Sequence, residues 1–331
     1  MEISIVIPTY NRGNEVVRAL QSALAQTYPD REIIIIDDGS NDDTVERLRP
    51  YQDKIRYVYQ DNQGASAAQN AGIKIARGEY VAVLASDDLW EPTKLERQVR
   101  LLQDMGNEFG VCFTDCRYFG NPKLQATAFQ EAGLDFSGKA CVVADPKRHV
   151  LAKNPAFFVQ SLLVRRALLL KVNCLDENLE IGEDTDLIFR LSFHTRFCVI
   201  GEPLVQIDRS TSLSRLMDLY QIPDIAYRNI QLRLEQWLAM PELVEKEIHG
   251  QIRGQLIEMF YNWAIAKLYR WEFAEALQKL RLIRTNDNSW IRIASHLTCR
   301  VSHRLLARKP DQLLPKARPM AAPSPSESGP G

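Results

Sequence analysis

Residues 80–90, YVAVLASDDLW, carry a short apolar run that stops at two adjacent aspartates, Asp87 and Asp88. The run is continuous rather than alternating and contains β-branched valines, which is typical of a strand buried on both faces. Ligands of an open parallel sheet bind just outside the carboxyl ends of its strands. Paired carboxylates at such an end predict a site for a hard divalent cation such as Mg²⁺ or Mn²⁺. The alternative is an acidic turn that caps the next helix, since aspartate is a common N-cap residue.

Three further apolar runs precede this one, at residues 3–7, 32–36 and 55–59, and helical spacing follows each of them. Strands that alternate with helices over short loops predict a parallel sheet with right-handed crossovers. The predicted fold class is therefore α/β, a mostly parallel Rossmann-like sheet flanked by helices. Two later strands are predicted at residues 111–118 and 157–164, with loop and minor structure between them.

Composition excludes several classes of protein. The 331 residues are 45% hydrophobic and 25% charged, as in ordinary globular domains, and the net charge of −1 gives no argument for a nucleic-acid partner. No uninterrupted apolar stretch approaches the roughly 18 residues that a membrane span needs. The N-terminus lacks a basic region and a cleavage site, so it is predicted to be a first strand and not a signal peptide. Six cysteines without framework spacing predict reduced thiols in a cytosolic protein.

The character of the sequence changes near residue 215, which predicts a division of the chain. Residues 1–215 combine strand and helix signals, residues 216–309 show helical spacing alone, and residues 310–331 are rich in proline, serine and glycine and are predicted to be disordered. Residues 253–309 are basic on balance. The simplest interpretation of these basic residues is that they form a solvent-exposed helix face. The alternatives are peripheral contact with the anionic inner face of a membrane and homodimer formation.

Polar residues follow three of the predicted strands where each strand ends, at residues 9–12, 37–40 and 86–88. The carboxyl ends of parallel strands meet at one edge of a sheet, so these loops are expected to line one cleft. The GxGxxG pattern of dinucleotide-binding folds does not follow the first strand, and the GxxxxGK[ST] pattern of a P-loop does not occur. Nicotinamide and P-loop nucleotide chemistry are therefore disfavoured.

Five sequence blocks occur in order along the first two thirds of the chain. They are PTYNR at 8–12, IIIIDDGSNDDT at 33–44, NQGASAAQNAG at 62–72, the aspartate pair after YVAVLAS, and GEDTDLIFRL at 182–191. Together they resemble the family 2 glycosyltransferases of the GT-A fold, over residues 1–215. Five co-linear blocks are far more specific than any one of them. The resemblance implies a GT-A catalytic domain with a nucleotide-sugar donor, a divalent cation and inversion at the anomeric carbon.

The resemblance assigns residues to the donor pocket block by block. One of Asp37 and Asp38 would accept a hydrogen bond from the base while its neighbour orients the loop. The alternative for this pair is a capped turn, with Gly39 at positive φ. The nucleotide pocket would be lined by Pro8, Thr9 and either Asn11 or Arg12, and the wall near ribose and diphosphate by Gln63, Gly64 and Asn70, for which helix capping and packing are the alternative roles.

The metal motif departs from the pattern common in the family. Many members read D-x-D-D, whereas Ala85 holds the first position here and leaves only Asp87 and Asp88. One of the two would hold Mn²⁺ or Mg²⁺ and the other would touch the ribose, and the sequence does not assign which. Arg209 stands where a related segment, H-x-G-S-L-S, has histidine, so it is assigned to the donor diphosphate.

The resemblance puts the general base at Asp184, in the pair Glu183-Asp184, and Glu183 is counted with the substrate-binding residues. Displacement with inversion requires one carboxylate on the far side of the sugar, placed to take the proton of the acceptor hydroxyl. The alternative role of Asp184 is to cap the helix predicted over residues 185–193. The two roles are compatible, because a helix start also orients a carboxylate.

The predicted activity is metal-assisted transfer of a sugar from a nucleoside-diphosphate donor to a saccharide or lipid-linked saccharide. The resemblance implies a UDP-sugar, the donor most common in the family. Such a reaction belongs to the synthesis of cell-envelope polysaccharides. One rival interpretation is a non-catalytic relative that binds nucleotide sugars, which the missing first aspartate favours. A second rival is a sugar nucleotidyltransferase, whose glycine-rich basic loop is missing after the first strand.

Overall fold

The computed structural model describes residues 2–136, 140–152, 156–210, 222–270 and 272–286. The N-terminal part alternates strands and helices as predicted, and β1, β2, β3 and β4 run parallel to one another. The elements are β1 (Ile3–Thr9), α1 (Gly13–Leu24), β2 (Arg31–Asp37), α2 (Thr44–Leu48), β3 (Arg56–Tyr59), α3 (Ala65–Ile75) and β4 (Tyr80–Val83).

Later parts of the chain extend the sheet and then turn helical. The elements that extend and cover the sheet are β5 (Leu89–Trp90), α4 (Lys94–Met105), β6 (Phe109–Phe119), α5 (Ala128–Glu131), β7 (Ala140–Val143), α6 (Pro146–Val150), β8 (Leu163–Arg165), α7 (Arg166–Lys171), α8 (Glu183–Leu191) and β9 (Arg196–Asp208). Three helices follow: α9 (Pro223–Leu238), α10 (Lys246–Tyr269) and α11 (Phe273–Asn286).

Within the described residues the strands form one sheet in the order β3-β2-β1-β4-β8-β6-β9-β5, and β7 pairs with β9. The sheet is parallel from β3 to β4 and again between β6 and β9, while β5, β7 and β8 make antiparallel pairs. The predicted α/β fold is therefore confirmed, with helices on both faces. The parallel run brings the carboxyl ends of β1, β2 and β4 to one edge.

Strand β2 shows why a continuous apolar run forms the centre of this sheet. Ile33 and Ile35 pack into the core on one face, with α1, whereas Ile34 and Ile36 pack into the core on the other, with α3. Side chains of a strand alternate between faces, so a strand covered on both sides needs apolar residues at every position. Helix α3 approaches so closely that a Cβ at Gly72 would lie 2.3 Å from Val6 Cγ1.

Two details of the predicted secondary structure are wrong. The strand expected at residues 157–164 is a short 3₁₀ turn followed by β8, which begins only at Leu163. The long strand β9 was not predicted, because Gly201 and Pro203 interrupt its apolar pattern. Its register against β6 shifts at this point, between Thr114 and Cys116, which accommodates the two residues.

The C-terminal helices share a core with the sheet. Leu234, Trp237 and Phe260 are fully buried in the same cluster as Phe189 of α8 and Val6 of β1. The predicted division near residue 215 and the predicted disordered tail at 310–331 lie outside the described residues, as does much of the basic segment 253–309. Among the described helices, none is both long and apolar enough to cross a membrane.

Candidate active site

The loops after β1 and β2 are joined by backbone and side-chain hydrogen bonds. The backbone N–H of Asp38 donates to the carbonyl oxygen of Thr9 over 2.9 Å, and the N–H of Asn11 donates to Ser40 Oγ over 2.9 Å. Asn11 has a φ of 51°, a left-handed conformation that asparagine tolerates better than most residues. Its Oδ1 accepts from Asn41 N at 2.8 Å. The two predicted nucleotide loops therefore form one surface, beside Pro8 in β1.

Thr9 ends β1 and lies opposite Asp37 in the pairing with β2. The side chain is buried, and its Oγ1 has no hydrogen-bonding partner among the described residues. A buried hydroxyl without a partner carries a free-energy cost. Thr9 Oγ1 is thus an available hydrogen-bonding group at the sheet edge where the donor pocket was predicted.

Asp37 closes a tight turn at the end of β2. It is fully buried, its Oδ1 accepts from Ser40 N at 2.8 Å, and its Oδ2 accepts from the hydroxyl of Tyr57 at 2.6 Å. Burial, reinforced by this bond to Asp37, raises the pKa of Tyr57. Gly39 within the turn has a φ of +86°, as the capped-turn alternative requires. Both carboxylate oxygens are therefore engaged within the protein.

Asp38 holds the loop that leads into α3. Its Oδ1 accepts from Gln60 Nε2 at 2.7 Å and from Gln63 N at 3.0 Å, and its Oδ2 accepts from Gly64 N at 2.8 Å. Gly64 has a φ of +94° and open space where a Cβ would lie. The buried carboxylate of Asp38 thus fixes the backbone of Gln63 and Gly64, which were predicted to lie near the ribose.

Asn70 lies buried on α3 and is committed to another loop. Its Nδ2 donates to the carbonyl oxygen of Leu175 at 2.9 Å and to Glu177 Oε1 at 2.8 Å, and its Oδ1 accepts from Leu175 N at 2.9 Å. Both amide protons are used, which leaves one lone pair of Oδ1 for any ligand. The packing role left open for Asn70 is the one these contacts describe, and its predicted contact with the donor stays a prediction.

Arg12 and Asp87 connect the loops after β1 and β4. Arg12 Nη1 lies 2.5 Å from Asp87 Oδ2, and about a fifth of each side chain is exposed. Neither Asp87 nor Asp88 caps the next helix, because α4 begins at Lys94 with Thr93 at its N-cap. The helix-cap alternative for the aspartate pair is therefore wrong.

Asp88 is buried, with its two oxygens in different environments. Oδ1 accepts from the backbone N–H of Asp208 at 2.9 Å, whereas Oδ2 has no hydrogen-bonding partner among the described residues. Burial, followed by the charge of Asp87, raises the pKa of Asp88 to about 7. A bound cation would reverse that shift by stabilising the carboxylate.

The donor atoms available here fit a hard divalent cation. Two adjacent carboxylates supply oxygen ligands, and Asp88 Oδ2 is a buried oxygen without a partner. The described residues contain no group of three or more histidine, cysteine, aspartate or glutamate side chains placed to hold a metal ion. This protein would thus contribute one or two ligands. Proteins commonly do so at Mg²⁺ sites in which substrate phosphates complete the coordination.

Asp208, the last residue of β9, and Arg209, which follows it, lie beside Asp88. The N–H of Arg209 donates to Phe119 O at 2.8 Å, and its guanidinium lies 5.4 Å from the ring centre of Tyr118. Its charge opposes the rise in the pKa of Asp88. Asp208 was missed by sequence reasoning, because β9 was not predicted. Its Oδ1 accepts from Ser210 N at 2.7 Å. Residues 211–214 of the related segment lie outside the described residues.

Glu183 and Asp184 begin α8, directly after Gly182 at the N-cap position. Asp184 Oδ1 accepts from Thr185 N at 2.6 Å, so the carboxylate is held inside the first turn, near the positive end of the helix dipole. Burial, followed by the charge of Asp184, raises the pKa of Glu183 to about 8, and burial raises the pKa of Asp184. Perturbed carboxylates of this kind concentrate at functional sites.

Comparisons with known proteins identify the family of the chain. The sequence model described as Glycosyl transferase family 2 matches residues 4–141. The uncharacterized glycosyltransferase RP339 of Rickettsia prowazekii is 32% identical over 263 residues, which cover 80% of this chain and 79% of that protein. The succinoglycan biosynthesis protein ExoO of Rhizobium meliloti is 30% identical over 260 residues, 76% of this chain and 73% of that protein.

Other matched relatives align over shorter stretches, which span between 16% and 58% of their length. Among solved structures, S. aureus TarS 1-349 in complex with UDP-GlcNAc superposes with a TM-score of 0.61 at 18% identity, over 88% of this chain and 92% of that one. The fold and the sequence relatives define a glycosyltransferase. The chain belongs to glycosyltransferase family 2.

Proposed function

We propose that this glycosyltransferase moves a sugar from a UDP-sugar to a saccharide or lipid-linked saccharide, with inversion and with assistance from Mn²⁺ or Mg²⁺. The observation that carries the proposal is the half-buried pair Glu183-Asp184, held in the first turn of α8 with raised pKa values. A carboxylate of this kind, positioned by a helix start, is suited to accept a proton. Family membership supplies the reaction class in which such a proton acceptor is needed.

The donor half of the site is proposed to lie at the edge formed by the loops after β1, β2 and β4. Thr9 Oγ1 offers an unpartnered hydrogen-bonding group to the nucleotide. Arg12 and Arg209 offer guanidinium groups to the diphosphate, for which their geometry is suited. Asp37 and Asp38 act mainly by ordering the loops that carry the other donor contacts.

Asp88 is proposed as the metal ligand, through Oδ2, and Asp87 as the carboxylate that orients Arg12 and reaches the ribose. A cation bound here would neutralise the charge that builds on the leaving diphosphate. Asp184 then takes the proton of the acceptor hydroxyl as the new bond forms, and Glu183 contacts the acceptor. Removal of that proton by a positioned carboxylate contributes roughly 10²–10⁴-fold in rate.

The acceptor is proposed to be a growing polysaccharide or its lipid-linked precursor. Support comes from the relative ExoO, whose name states a role in succinoglycan biosynthesis. A cytoplasmic enzyme with this acceptor would work beside the inner membrane face, and the basic segment 253–309 would favour contact with anionic lipid. Homodimer formation through the C-terminal helices stays a second prediction for that region.

Thermal unfolding with a panel of nucleotide sugars, each with and without Mn²⁺, tests the donor class. UDP-sugars are expected to raise the melting temperature most, and more with Mn²⁺ than without it. A ligand at 100 times its Kd stabilises by about 2.7 kcal/mol, which corresponds to roughly 4 °C for a chain of 331 residues. GDP-, CMP- and dTDP-sugars are the matched controls. A larger shift with a nucleoside triphosphate, together with diphosphate release, would support a nucleotidyltransferase instead.

Replacing Asp88 by asparagine tests the metal site. The variant keeps the side-chain volume and an Oδ1 that can accept from Asp208 N, but it removes the charge that holds the cation. We expect the Mn²⁺-dependent part of the UDP stabilisation to disappear while a smaller metal-independent part remains. Asp53→Asn, at an exposed position, is the control with the same chemical change. Full Mn²⁺-dependent protection in Asp88→Asn would exclude Asp88 as the ligand.

A further inference from the structure

Helix α9 lies against the segment that carries the catalytic pair. Asn229, Arg233, Gln236 and Trp237 are spaced so that they share one face of the helix. Asn229 Oδ1 accepts from Glu180 N at 2.8 Å, and Gln236 Nε2 donates to Asp176 Oδ2 at 2.8 Å. The face therefore fixes the loop before α8 at two points.

Arg233 covers the backbone directly before the pair. Its Nη1 lies 3.4 Å from the carbonyl oxygen of Gly182, and its guanidinium lies 5.2 Å from the ring centre of Trp237. A Cβ at Gly182 would lie 2.3 Å from Arg233 Nη1, and the φ of Gly182 is +79°. The left-handed backbone favours glycine at this position, and a side chain there would displace the guanidinium.

The pair Glu183-Asp184 places two carboxylates next to one cation, Arg233. Glu183 and Asp184 face each other's charge, and the cation that acts on both is Arg233. Asp186, one turn on, is neutralised by Arg190 through an ion pair of 2.6 Å. In the preceding loop, Asp176 is hydrogen-bonded to Gln236. Arg233 is thus the charged group of a packed element that acts on both carboxylates. Asp186, Arg190 and Asp176 lie on the same elements and are engaged with other partners.

We propose that Arg233 is a positioning residue for the catalytic pair, which fixes Gly182 and favours the ionised carboxylates of Glu183 and Asp184. The proposal rests on the proposed function, in which Asp184 accepts the acceptor proton. It assigns to helix α9, some 50 positions after the pair, a part in completing the site. Burial raises both pKa values and the charge of Arg233 opposes that rise, as this role requires.

The first test is the pH dependence of sugar transfer by Arg233→Met, which keeps the length of the side chain and removes its charge. The base works only when ionised, and losing a nearby cation raises its pKa. We expect the acidic limb of kcat/KM to move up by about one pH unit, so activity falls roughly tenfold more at acid pH than on the alkaline plateau. Arg233→Lys should restore most of the profile, and Arg228→Met, exposed on the same helix, should leave it unchanged.

The second test uses stability alone and needs no turnover. An acid whose pKa is raised by folding stabilises fully below its unfolded pKa and loses that contribution as pH rises through its folded pKa. Since the folded pKa of Glu183 is about 8, the melting temperature of Arg233→Met should fall further below wild type at about pH 9 than at about pH 6. In a Glu183→Gln, Asp184→Asn background, that extra loss should vanish.

These two readouts separate the inference from the function on which it rests. An equal loss of activity at every pH, with an equal loss of melting temperature at both pH values, would mean that Arg233 is merely structural. If Arg233→Met kept both the wild-type pH profile and the wild-type melting temperature, the inference would be overturned as well. If wild type transferred no sugar while the stability coupling held, the proposed function would fail and the contact between Arg233 and the pair would stand.

Discussion

Asp184→Asn is expected to lower kcat for sugar transfer by roughly 10²–10⁴-fold, which is the usual contribution of a general base. The amide has nearly the same shape and can still accept from Thr185 N at Oδ1, so α8 should keep its first turn. It cannot take a proton from the acceptor. Binding of the UDP-sugar, measured by thermal shift, is expected to stay close to wild type.

The measurement is initial-rate transfer to an acceptor, with Glu180→Gln as the control, because Glu180 is an exposed carboxylate four positions earlier. Glu183→Gln is measured beside it and should change acceptor KM more than kcat. Transfer by Asp184→Asn at the wild-type rate would exclude Asp184 as the base. A wild-type protein that binds UDP-sugars and transfers nothing with any acceptor would support the non-catalytic alternative.

Trp237→Ala is expected to lower the free energy of unfolding by about 4 kcal/mol, in the range of buried aromatic truncations. Trp237 is 1% exposed, and its ring stacks on Phe189 with 4.0 Å between ring centres. Its Nε1 donates to Asp186 Oδ1 at 2.8 Å, so the truncation also removes a partner of a buried carboxylate. The variant leaves a cavity between α8 and α9.

Urea unfolding measures this loss as a lower transition midpoint with an unchanged slope. Trp237→Phe is the matched variant: it keeps a stacked ring and loses the hydrogen bond, and we expect roughly a third of the effect. Val244→Ala, at a side chain that is 80% exposed, should change stability by less than about 0.5 kcal/mol. A loss below about 1 kcal/mol for Trp237→Ala would contradict the tight packing of α9 on α8.

The parallel half of the sheet could be predicted because its strands are covered on both faces. Ile33 to Ile36 must all be apolar when helices lie on both sides, and that pattern is visible without a structure. Strand β9 could not be found in this way, because glycine and proline interrupt it and its register shifts there. Its end carries Asp208 and Arg209, so the error in one strand hid one side of the candidate site.

Asp37 and Asp38, at the end of β2, illustrate a second limit of prediction from the sequence. The sequence left open whether Asp37 and Asp38 form a capped turn, and the hydrogen bonds to Ser40, Gln63 and Gly64 describe such loop-ordering roles. The bond from Ser40 to Asp37 spans three positions and is one that turn chemistry anticipates. The bonds from Gln63 and Gly64 to Asp38 span 25 and 26 positions, which turn chemistry does not cover. The contact of Arg233 with Gly182 spans 51 positions. No spacing rule connects a helix of the C-terminal region to a loop so far away in the chain.

The hydrogen bond between Asp88 and Asp208 joins residues 120 positions apart. On the ribosome, where a chain grows by roughly 5–20 residues per second, that interval lasts roughly 6–24 s. During this time the first four strands are complete, but Asp88 lacks the backbone N–H that bonds to its Oδ1. A nascent chain that stalls before β9 emerges thus carries the loops after β1, β2 and β4 without the strand end that bonds to Asp88. Under the proposed function, capture of the donor therefore has to wait until β9 has been made.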